Sequence, residues 1–220
     1  MSENKSRDCL LCGSADVREY FRDRNRNYLI CQVCSLVFVP VEYHLSESEE
    51  KSIYDLHQND PYDPGYRRFL SRLSIPLIKR IKPGSQGLDF GCGPGPALCV
   101  MLEEKGMTMT KFDKFYFPDA SVLKQQYDFI CSTEVIEHLR DPSAVFTTLF
   151  YLLKKQGTLA VMTKMVLNRD AFSKWHYIQD QSHICFYSRE TMHFLAAAQD
   201  ATLQFMDKDV IFFHKDRFLQ

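Results

Sequence analysis

The chain has 220 residues, 45% of them hydrophobic, and its mean hydropathy of -0.28 is typical of a soluble globular protein with a sizeable core. No apolar run approaches the roughly 20 residues that span a bilayer, and the polar first residues lack the apolar segment of a secretion signal, so we expect a cytoplasmic protein with no membrane partner. The net charge of -1 gives no general attraction for nucleic acid, which is therefore not indicated as a partner, although it stays open.

Near the start of the chain, four cysteines form two Cys-x2-Cys pairs that are separated by eighteen residues: Cys9, Cys12, Cys31 and Cys34. This spacing is typical of a four-cysteine zinc site. A segment of about forty residues buries too little core to fold alone, so a bound metal would supply its stability. We predict a structural zinc ribbon over residues 1–40 with short strands at 17–21, 28–30 and 36–39; the alternative is four unrelated buried thiols. Four arginines around its hairpin are candidate substrate contacts, although acids interleave with them: Arg18, Arg22, Arg24 and Arg26.

A linker is predicted at residues 41–64, before the main domain at 65–220. Ser46 and Glu49 have the spacing of a capping box, which predicts a short helix ending near Gln58. A second helical pattern follows over residues 69–81, interrupted or kinked near Pro76. The basic run at 65–82 is interpreted as a solvated helix face, with a groove for an anionic substrate as the alternative.

The stretch at residues 88–95 predicts a buried strand that enters a glycine-rich turn, followed by a helix over 97–105. Glycine tolerates positive φ and removes a Cβ where a ligand approaches the main chain. The acidic-x-Gly-x-Gly-x-Gly pattern resembles motif I of class I S-adenosylmethionine (SAM) methyltransferases; an ordinary glycine turn or another nucleotide site is the alternative. The resemblance implies a cofactor site, with the first carboxylate facing the ammonium group of SAM, at Asp89, Gly91, Cys92, Gly93 and Gly95.

The next predicted strand, at residues 108–112, ends in Asp113. In class I methyltransferases an acid at this point accepts hydrogen bonds from both ribose hydroxyls, so the resemblance adds Asp113, Lys114 and Phe115 to the cofactor site. Only thirteen residues separate Asp113 from Tyr127, where the following strand begins, so we predict that the third strand of the family and its flanking helices are absent. Aromatic residues at 115–117 are candidates to cover the adenine ring instead.

After the strand at 127–131, the segment at 132–139 lies at the carboxyl end of a central strand. Its Glu-x-x-Glu-His pattern resembles ubiquinone-pathway O-methyltransferases and plant small-RNA 2′-O-methyltransferases, which hold a divalent ion there. The resemblance implies a second divalent ion, with Glu134, Glu137, His138 and, from beyond the next strand, His183 as its ligands; His138 or His183 as a general base and a purely structural His138 are the alternatives. The candidate catalytic residues are Glu134, Glu137, His138 and His183, and the candidate cofactor contacts here are Thr133 and Glu134.

The rest of the sequence continues the alternation of predicted helices and strands. A helix begins at Pro142 and is predicted to end at 154–157, before a strand over 158–163. An aromatic loop follows, resembling a Trp-x-Tyr-x-x-Asp-x-x-His segment of a bacterial methyltransferase subgroup; it offers Trp175, His176 and Tyr177 as candidate substrate contacts. A helix over 188–199 and an antiparallel hairpin at 202–206 and 210–213 close the fold.

Taken together, these patterns predict an α/β protein with a reduced Rossmann-like methyltransferase sheet and a small N-terminal zinc ribbon. The resemblance covers residues 65–215 and implies SAM-dependent methyl transfer to a small-molecule or nucleic-acid acceptor. The alternative is a catalytically inactive SAM-binding or S-adenosylhomocysteine (SAH)-binding sensor, because the adenine region is shortened.

Overall fold

The computed structural model describes residues 7–56 and 59–215 of the chain. Its strands are β1 (Val17–Arg22), β2 (Asn27–Cys31), β3 (Val37–Phe38), β4 (Gln86–Phe90), β5 (Thr108–Phe112), β6 (Tyr127–Thr133), β7 (Leu153–Met162), β8 (Cys185–Phe186), β9 (Ala201–Phe205) and β10 (Val210–Lys215). Its helices are α1 (Glu47–Tyr54), α2 (Pro64–Ile78), α3 (Ala97–Glu103), α4 (Pro142–Leu152), α5 (Arg169–Ser173) and α6 (Arg189–Ala198).

A six-stranded sheet in the order β5-β4-β6-β7-β10-β9 forms the centre of the fold. The first four strands in this order are parallel, and β10 runs antiparallel to both β7 and β9. The predicted α/β fold and its closing hairpin are confirmed. Between β5 and β6 the described chain contains a turn closed by a bridge from Asp113 to Phe117 and a short 3-10 helix (Ala120–Lys124), but no strand. The predicted loss of the third strand is therefore confirmed.

Alternation along the central strands separates two cores. On β10, Val210 and Phe212 pack with α2 and α3 on one face of the sheet. Ile211 and Phe213 point to the opposite face, where they join a larger core that extends into the cysteine-bearing segment. Because successive side chains on a strand alternate between faces, apolar residues at every position bury both faces.

The junction between α4 and β7 differs from the sequence prediction. We predicted a helix end at 154–157 and a strand from Thr158, and this was wrong: α4 ends at Leu152 and β7 begins at Leu153. Leu153 pairs with Tyr127 of β6, and Lys154 forms an ion pair with Asp128 at 2.9 Å. These contacts with the neighbouring strand outweigh the local helix-ending signal.

Helices α1 and α2 lie before the sheet. Ser46 and Glu49 form the predicted capping box of α1, which ends at Tyr54; the expected end near Gln58 lies outside the described residues. Helix α2 begins at Pro64, capped by Asp63, and continues through Pro76 to Ile78, so the predicted interruption is not found. No helix within residues 7–56 and 59–215 has the length and apolar character needed to cross a membrane.

The cysteine-bearing segment forms a second, antiparallel sheet in the order β1-β2-β3-β8. Its first three strands lie where the sequence predicted them, but the fourth comes from the far end of the chain. Val37 pairs with Phe186 and Phe38 with Cys185. Hydrogen bonds and a shared core therefore join this segment to the main domain; the proposed domain boundaries stay predictions.

Candidate active site

A cavity of about 580 Å³ opens at the carboxyl ends of β4, β5 and β6. This is the edge at which open α/β sheets bind ligands, because the loops that leave parallel strands diverge there. Its walls come from the glycine-rich turn after β4, the turn after β5, the segment after β6, and helices α1 and α2. Most of the predicted site residues line it: Asp89, Gly91, Cys92, Gly93, Asp113, Lys114, Phe115, Thr133, Glu134, His138 and His183.

The glycines of the turn after β4 make room mainly for other parts of the protein. Gly91 has φ +78°, and a Cβ there would lie 2.5 Å from a methyl carbon of Val135. A Cβ on Gly95 would lie 1.8 Å from the backbone oxygen of Asn59. Gly95 itself does not line the cavity formed by the described residues. The third glycine thus allows the linker to pack directly on the turn.

Asp89 is a buried carboxylate with almost no hydrogen-bonding partners. It is 2% exposed; Oδ2 accepts one weak hydrogen bond from the Cys99 thiol at 3.5 Å, and Oδ1 has no partner among the described residues. Burial raises the pKa of Asp89 to about 7, with a smaller contribution from the charge of Asp113. Ionising this carboxylate is costly unless a cationic ligand lies opposite it.

Asp113 closes the opposite side of the turn. Its Oδ2 accepts a hydrogen bond from the backbone N–H of Gly93 at 3.0 Å, and its Oδ1 accepts from the N–H groups of Phe115 at 2.8 Å and Tyr116 at 3.1 Å. One carboxylate therefore fixes both the glycine turn and the aromatic turn after β5. Phe115 and Tyr116 line the cavity, as predicted for residues that cover a base, whereas Phe117 does not.

The segment after β6 carries two buried acids. Glu134 has φ +51°, an uncommon conformation for a residue with a side chain, and its Oε1 has no hydrogen-bond partner among the described residues. Glu137 is completely buried; Tyr177 donates to its Oε1 at 2.5 Å and Thr163 to its Oε2 at 2.9 Å. Burial raises the pKa of Glu137 to about 8 and also raises that of Glu134. Glu134 lines the cavity and Glu137 lies behind its wall.

Two imidazoles on the cavity wall, those of His138 and His183, pack edge to face with ring centres 4.7 Å apart. His138 Nδ1 lies 3.1 Å from the carbonyl oxygen of Ser182, and His183 Nδ1 lies 2.8 Å from that of Tyr177. A carbonyl can only accept, so each neutral ring carries its proton on Nδ1 and has Nε2 as its basic nitrogen. Asp180 Oδ2 lies 3.7 Å from His183 Nε2 and also lines the cavity.

Helix α1 covers part of the cavity through one buried acid, Glu50, which is 4% exposed. Its Oε2 lies 2.9 Å from Lys114 Nζ and 3.5 Å from the guanidinium of Arg140, and its Oε1 accepts from the Tyr54 hydroxyl at 2.8 Å. Lys114 follows β5 and Arg140 follows β6. This ion-pair cluster therefore ties α1 to both sides of the cavity mouth.

Of the three predicted substrate contacts, Tyr177 lies directly behind the cavity wall, where its ring packs on His183 at 4.0 Å between ring centres. Trp175 stacks on Tyr177 at 4.8 Å between ring centres, and Tyr177 bonds to Glu137. His176 is exposed and lies 2.9 Å from Lys164 Nζ. None of the three lines the cavity formed by the described residues. Sequence reasoning missed Glu50 and Arg140, and it passed over Asp180, the Asp of the Trp-x-Tyr-x-x-Asp-x-x-His segment.

The four N-terminal cysteines come together as predicted. Cys9 and Cys34 have sulfur atoms 3.4 Å apart, and those of Cys12 and Cys31 are 3.5 Å apart. All four sulfur atoms lie within 4.8 Å of one another, an arrangement that could hold a metal ion. A second group with ligand atoms this close contains Glu137, His138 and His183, but not Glu134.

Comparison with known proteins identifies the fold and the activity. A family model described as a methyltransferase domain matches residues 59–204, about two thirds of the chain. The chain belongs to this methyltransferase family. SAM is the methyl donor of such domains. The cavity fits SAM in one respect that the structure shows: Asp89 is buried, its Oδ1 has no partner among the described residues, and it suits the ammonium group of SAM. No curated protein matches the sequence of this methyltransferase.

Solved structures share the fold at low sequence identity. The methyltransferase CalO1 of calicheamicin biosynthesis, with SAH bound, matches 76% of this chain and 58% of its own at 13% identity and a TM-score of 0.51. A Haloferax volcanii protein solved in complex with a methyltransferase activator matches 71% and 93% at 11% identity and a TM-score of 0.51. A Pyrococcus horikoshii protein matches 76% and 99% at 14% identity and a TM-score of 0.50. At these identities the likeness establishes the fold alone.

Proposed function

We propose that this methyltransferase binds SAM between Asp89 and Asp113 and transfers its methyl group to a small acceptor held beside His183. The observation that carries the proposal is the Asp89 carboxylate, buried at the cavity with Oδ1 unpartnered among the described residues. Glu134 and Asp180 add two more carboxylates to the wall, while Lys114 and Arg140 are engaged by Glu50. Such a wall favours a cationic ligand over an anionic one.

A small acceptor fits this cavity better than a nucleic acid. The cavity of about 580 Å³ is in the size range of sites that enclose small molecules. Two of the three arginines of α2 are in ion pairs, Arg67 with Glu104 and Arg72 with Asp209, which reduces the charge that the helix offers to a polyanion. Both observations support a small molecule, and the nucleic-acid acceptor stays the less favoured alternative.

The chemistry required of the protein is mainly positioning. When bound, SAM supplies an activated methyl group on a sulfonium, and a neutral thioether leaves, so the leaving group needs no acid. Asp89 and Asp113 would hold the two ends of the cofactor, and Glu134 would orient the acceptor through its Oε1. His183 Nε2 is the proposed base where the acceptor must lose a proton, and Asp180 beside it would stabilise the resulting imidazolium.

A second divalent ion is the alternative role for the imidazoles. Of its four predicted ligands, Glu134 lies apart from the group of close ligand atoms, and both oxygens of Glu137 already accept hydrogen bonds. Using Glu137 as a ligand would therefore disturb one of its hydrogen bonds, and the two imidazole nitrogens suit magnesium less well than carboxylate oxygens do. We favour the base. The ion would require activity that is lost in EDTA and restored by magnesium, whereas the base predicts activity insensitive to both.

We propose that the N-terminal cluster binds one structural zinc ion through Cys9, Cys12, Cys31 and Cys34. Four thiolates around a tetrahedral ion at about 2.3 Å place neighbouring sulfur atoms about 3.8 Å apart, close to the separations found here. Four protein ligands leave no open position for substrate. The proposed role is therefore to stabilise the ribbon.

A second candidate function is a SAH-binding or SAM-binding sensor without activity. It is motivated by the short segment between β5 and β6, which removes the strand and the acid that would meet the adenine. Phe115 and Tyr116 could replace that contact by stacking on the base. Binding without transfer to any acceptor in a broad screen would favour the sensor.

The experiment that tests the proposal is calorimetric titration with SAH of the wild-type protein and of Asp89→Asn and Asp113→Asn. Asp119→Asn is the matched control, since Asp119 is an exposed acid that caps the short 3-10 helix near the site. We expect wild-type and control to bind, Asp89→Asn to lose at least about 100-fold in affinity and Asp113→Asn at least about tenfold. Equal affinity in all four proteins, or no binding to the wild type, would overturn the cofactor assignment.

A further inference from the structure

The zinc-ribbon segment contacts the loop that carries the catalytic candidates, not only the back of the main domain. Beyond the pairing of β3 with β8, the N–H of Val39 donates to the carbonyl oxygen of Ile184 at 2.9 Å. The adjoining residues 176–183 form one wall of the cavity through Asp180 and His183. The two parts of the chain that meet here are separated by about 150 residues in sequence.

At this junction lies Arg26, which ends the hairpin loop before β2 and is only 5% exposed. Its guanidinium donates to three carbonyl oxygens of one loop: Nη2 to Ile178 at 2.9 Å and to Asp180 at 2.7 Å, and Nη1 to Gln181 at 2.9 Å. Its Nε donates to the Tyr28 hydroxyl at 2.9 Å.

This use of a buried cation is unusual for a surface hairpin. Burying a guanidinium is costly unless its donors are satisfied, and here carbonyl oxygens of the cavity loop satisfy most of them. The planar fork fixes the relative positions of those oxygens more strictly than a single donor would. Arg18, Arg22 and Arg24 are exposed, so Arg26 differs from the other arginines of the hairpin in being buried. The prediction of Arg26 as a substrate contact is therefore not supported by its placement.

The loop that Arg26 binds, residues 178–181, in turn positions side chains at the cavity. Asp180 bears a carbonyl that Arg26 holds and a carboxylate near His183. Ser182, two residues later, accepts from His138. Moving the backbone at residues 178–181 would thus move the partners of both imidazoles.

We propose that Arg26 is a positioning residue of the methyltransferase site, through which the ribbon hairpin fixes residues 178–181 and thereby the orientation of Asp180 and His183. This inference rests on the proposed function in one respect, that His183 and Asp180 act on the acceptor. Its test uses no acceptor, so it can fail while SAM-dependent methyl transfer stands.

The test compares Arg26→Met with Arg24→Met in the full, metal-loaded chain. Arg24 lies in the same hairpin and is exposed, so its variant controls for loss of one charge. Hydrogen–deuterium exchange reports the loop at 176–183, ring ¹⁵N shifts report the tautomer of His183, and calorimetry reports SAH affinity. We expect Arg26→Met to speed exchange in the loop at least tenfold and to mix the His183 tautomers, with SAH affinity within about twofold of wild type.

Two milder variants keep the test decisive if Arg26→Met does not fold. Arg26→Lys keeps the charge but loses the fork, and should give an intermediate loss of protection in the loop. Tyr28→Phe removes the hydroxyl that accepts from Nε and that lies 3.3 Å from the carbonyl oxygen of Ile178, and it should give a smaller change in the same segment. Unchanged exchange and an unchanged His183 tautomer in these variants would overturn the proposal, as would faster exchange spread equally over the ribbon and β7.

Discussion

Replacing Asp89 by asparagine should stabilise the cofactor-free protein while weakening cofactor binding. In the folded protein, burial raises the pKa of Asp89 from 3.8 to about 7. The folded state therefore holds a proton that the unfolded state releases between these two values, and the free energy of unfolding falls as the pH rises from about 4 to 7. Each pH unit corresponds to about 1.36 kcal/mol, so the decrease attributable to this group is on the order of 4 kcal/mol.

The pH dependence supplies an internal control. At pH 4 both the wild-type carboxyl and the variant amide are neutral, so the two proteins should have similar stability. At pH 8 the wild type carries an ionised, buried carboxylate, and Asp89→Asn should be more stable by up to about 4 kcal/mol, or roughly 8–16 °C in melting temperature for a chain of this size. Urea denaturation of both cofactor-free proteins from pH 4 to 8 measures the difference directly.

Cofactor binding should change in the opposite direction. An ammonium group beside Asp89 restores the ionised form, so wild-type affinity for SAH should rise from pH 5 to 7 and then level off. Removing one partner of a buried ion pair costs about 3 kcal/mol or more, which predicts a loss of at least about 100-fold in the variant at pH 7.5. A stability difference that does not change with pH would refute the burial argument, and unchanged affinity would refute the assignment of Asp89.

Three further changes test the four-cysteine cluster, the ion pairs that attach α1 and the glycine turn after β4. Cys9→Ser with Cys31→Ser should lose about one zinc per chain by metal analysis and lower the melting temperature; equal zinc content would contradict the ribbon. Glu50→Gln should weaken the attachment of α1 to Lys114 and Arg140, seen as faster hydrogen exchange in α1; unchanged protection would contradict the role given to this ion-pair cluster. Gly91→Ala should destabilise more than Gly84→Ala by denaturation, because both have positive φ but only Gly91 lies against Val135; equal losses would mean that backbone strain alone matters.

The parts of the site that could be predicted are those that depend on residues close together in the sequence. The glycine turn, Asp89 and Asp113 follow directly from strand ends whose spacing the sequence displays, and the structure places both carboxylates at one cavity. The missing third strand followed from a simple length argument, since thirteen residues cannot hold a helix, a strand and a helix. In each case a short segment fixes the geometry without help from distant residues.

The parts that sequence reasoning missed depend on contacts between distant segments. Glu50 is the clearest case: in a linker rich in acids nothing distinguishes it, and only the folded chain places it against Lys114 and Arg140. Tyr177 is the converse case, an aromatic residue near the strand ends that the sequence suggested as a substrate contact. In the structure its hydroxyl is used to hold the buried Glu137.

The arrangement around residues 176–183 changes how the N-terminal segment should be understood. As a separate metal-stabilised unit it would need only its own four ligands and three strands. Instead β3 requires β8 to complete its sheet, and a buried guanidinium donates mainly to carbonyl oxygens of the loop at residues 178–181. If the hairpin folded independently of the main domain, the burial of the Arg26 charge would not be compensated by these carbonyl oxygens. The contacts therefore favour a single cooperative unit, in which loss of the ribbon metal would disturb the acceptor side of the cavity before the Asp89 side.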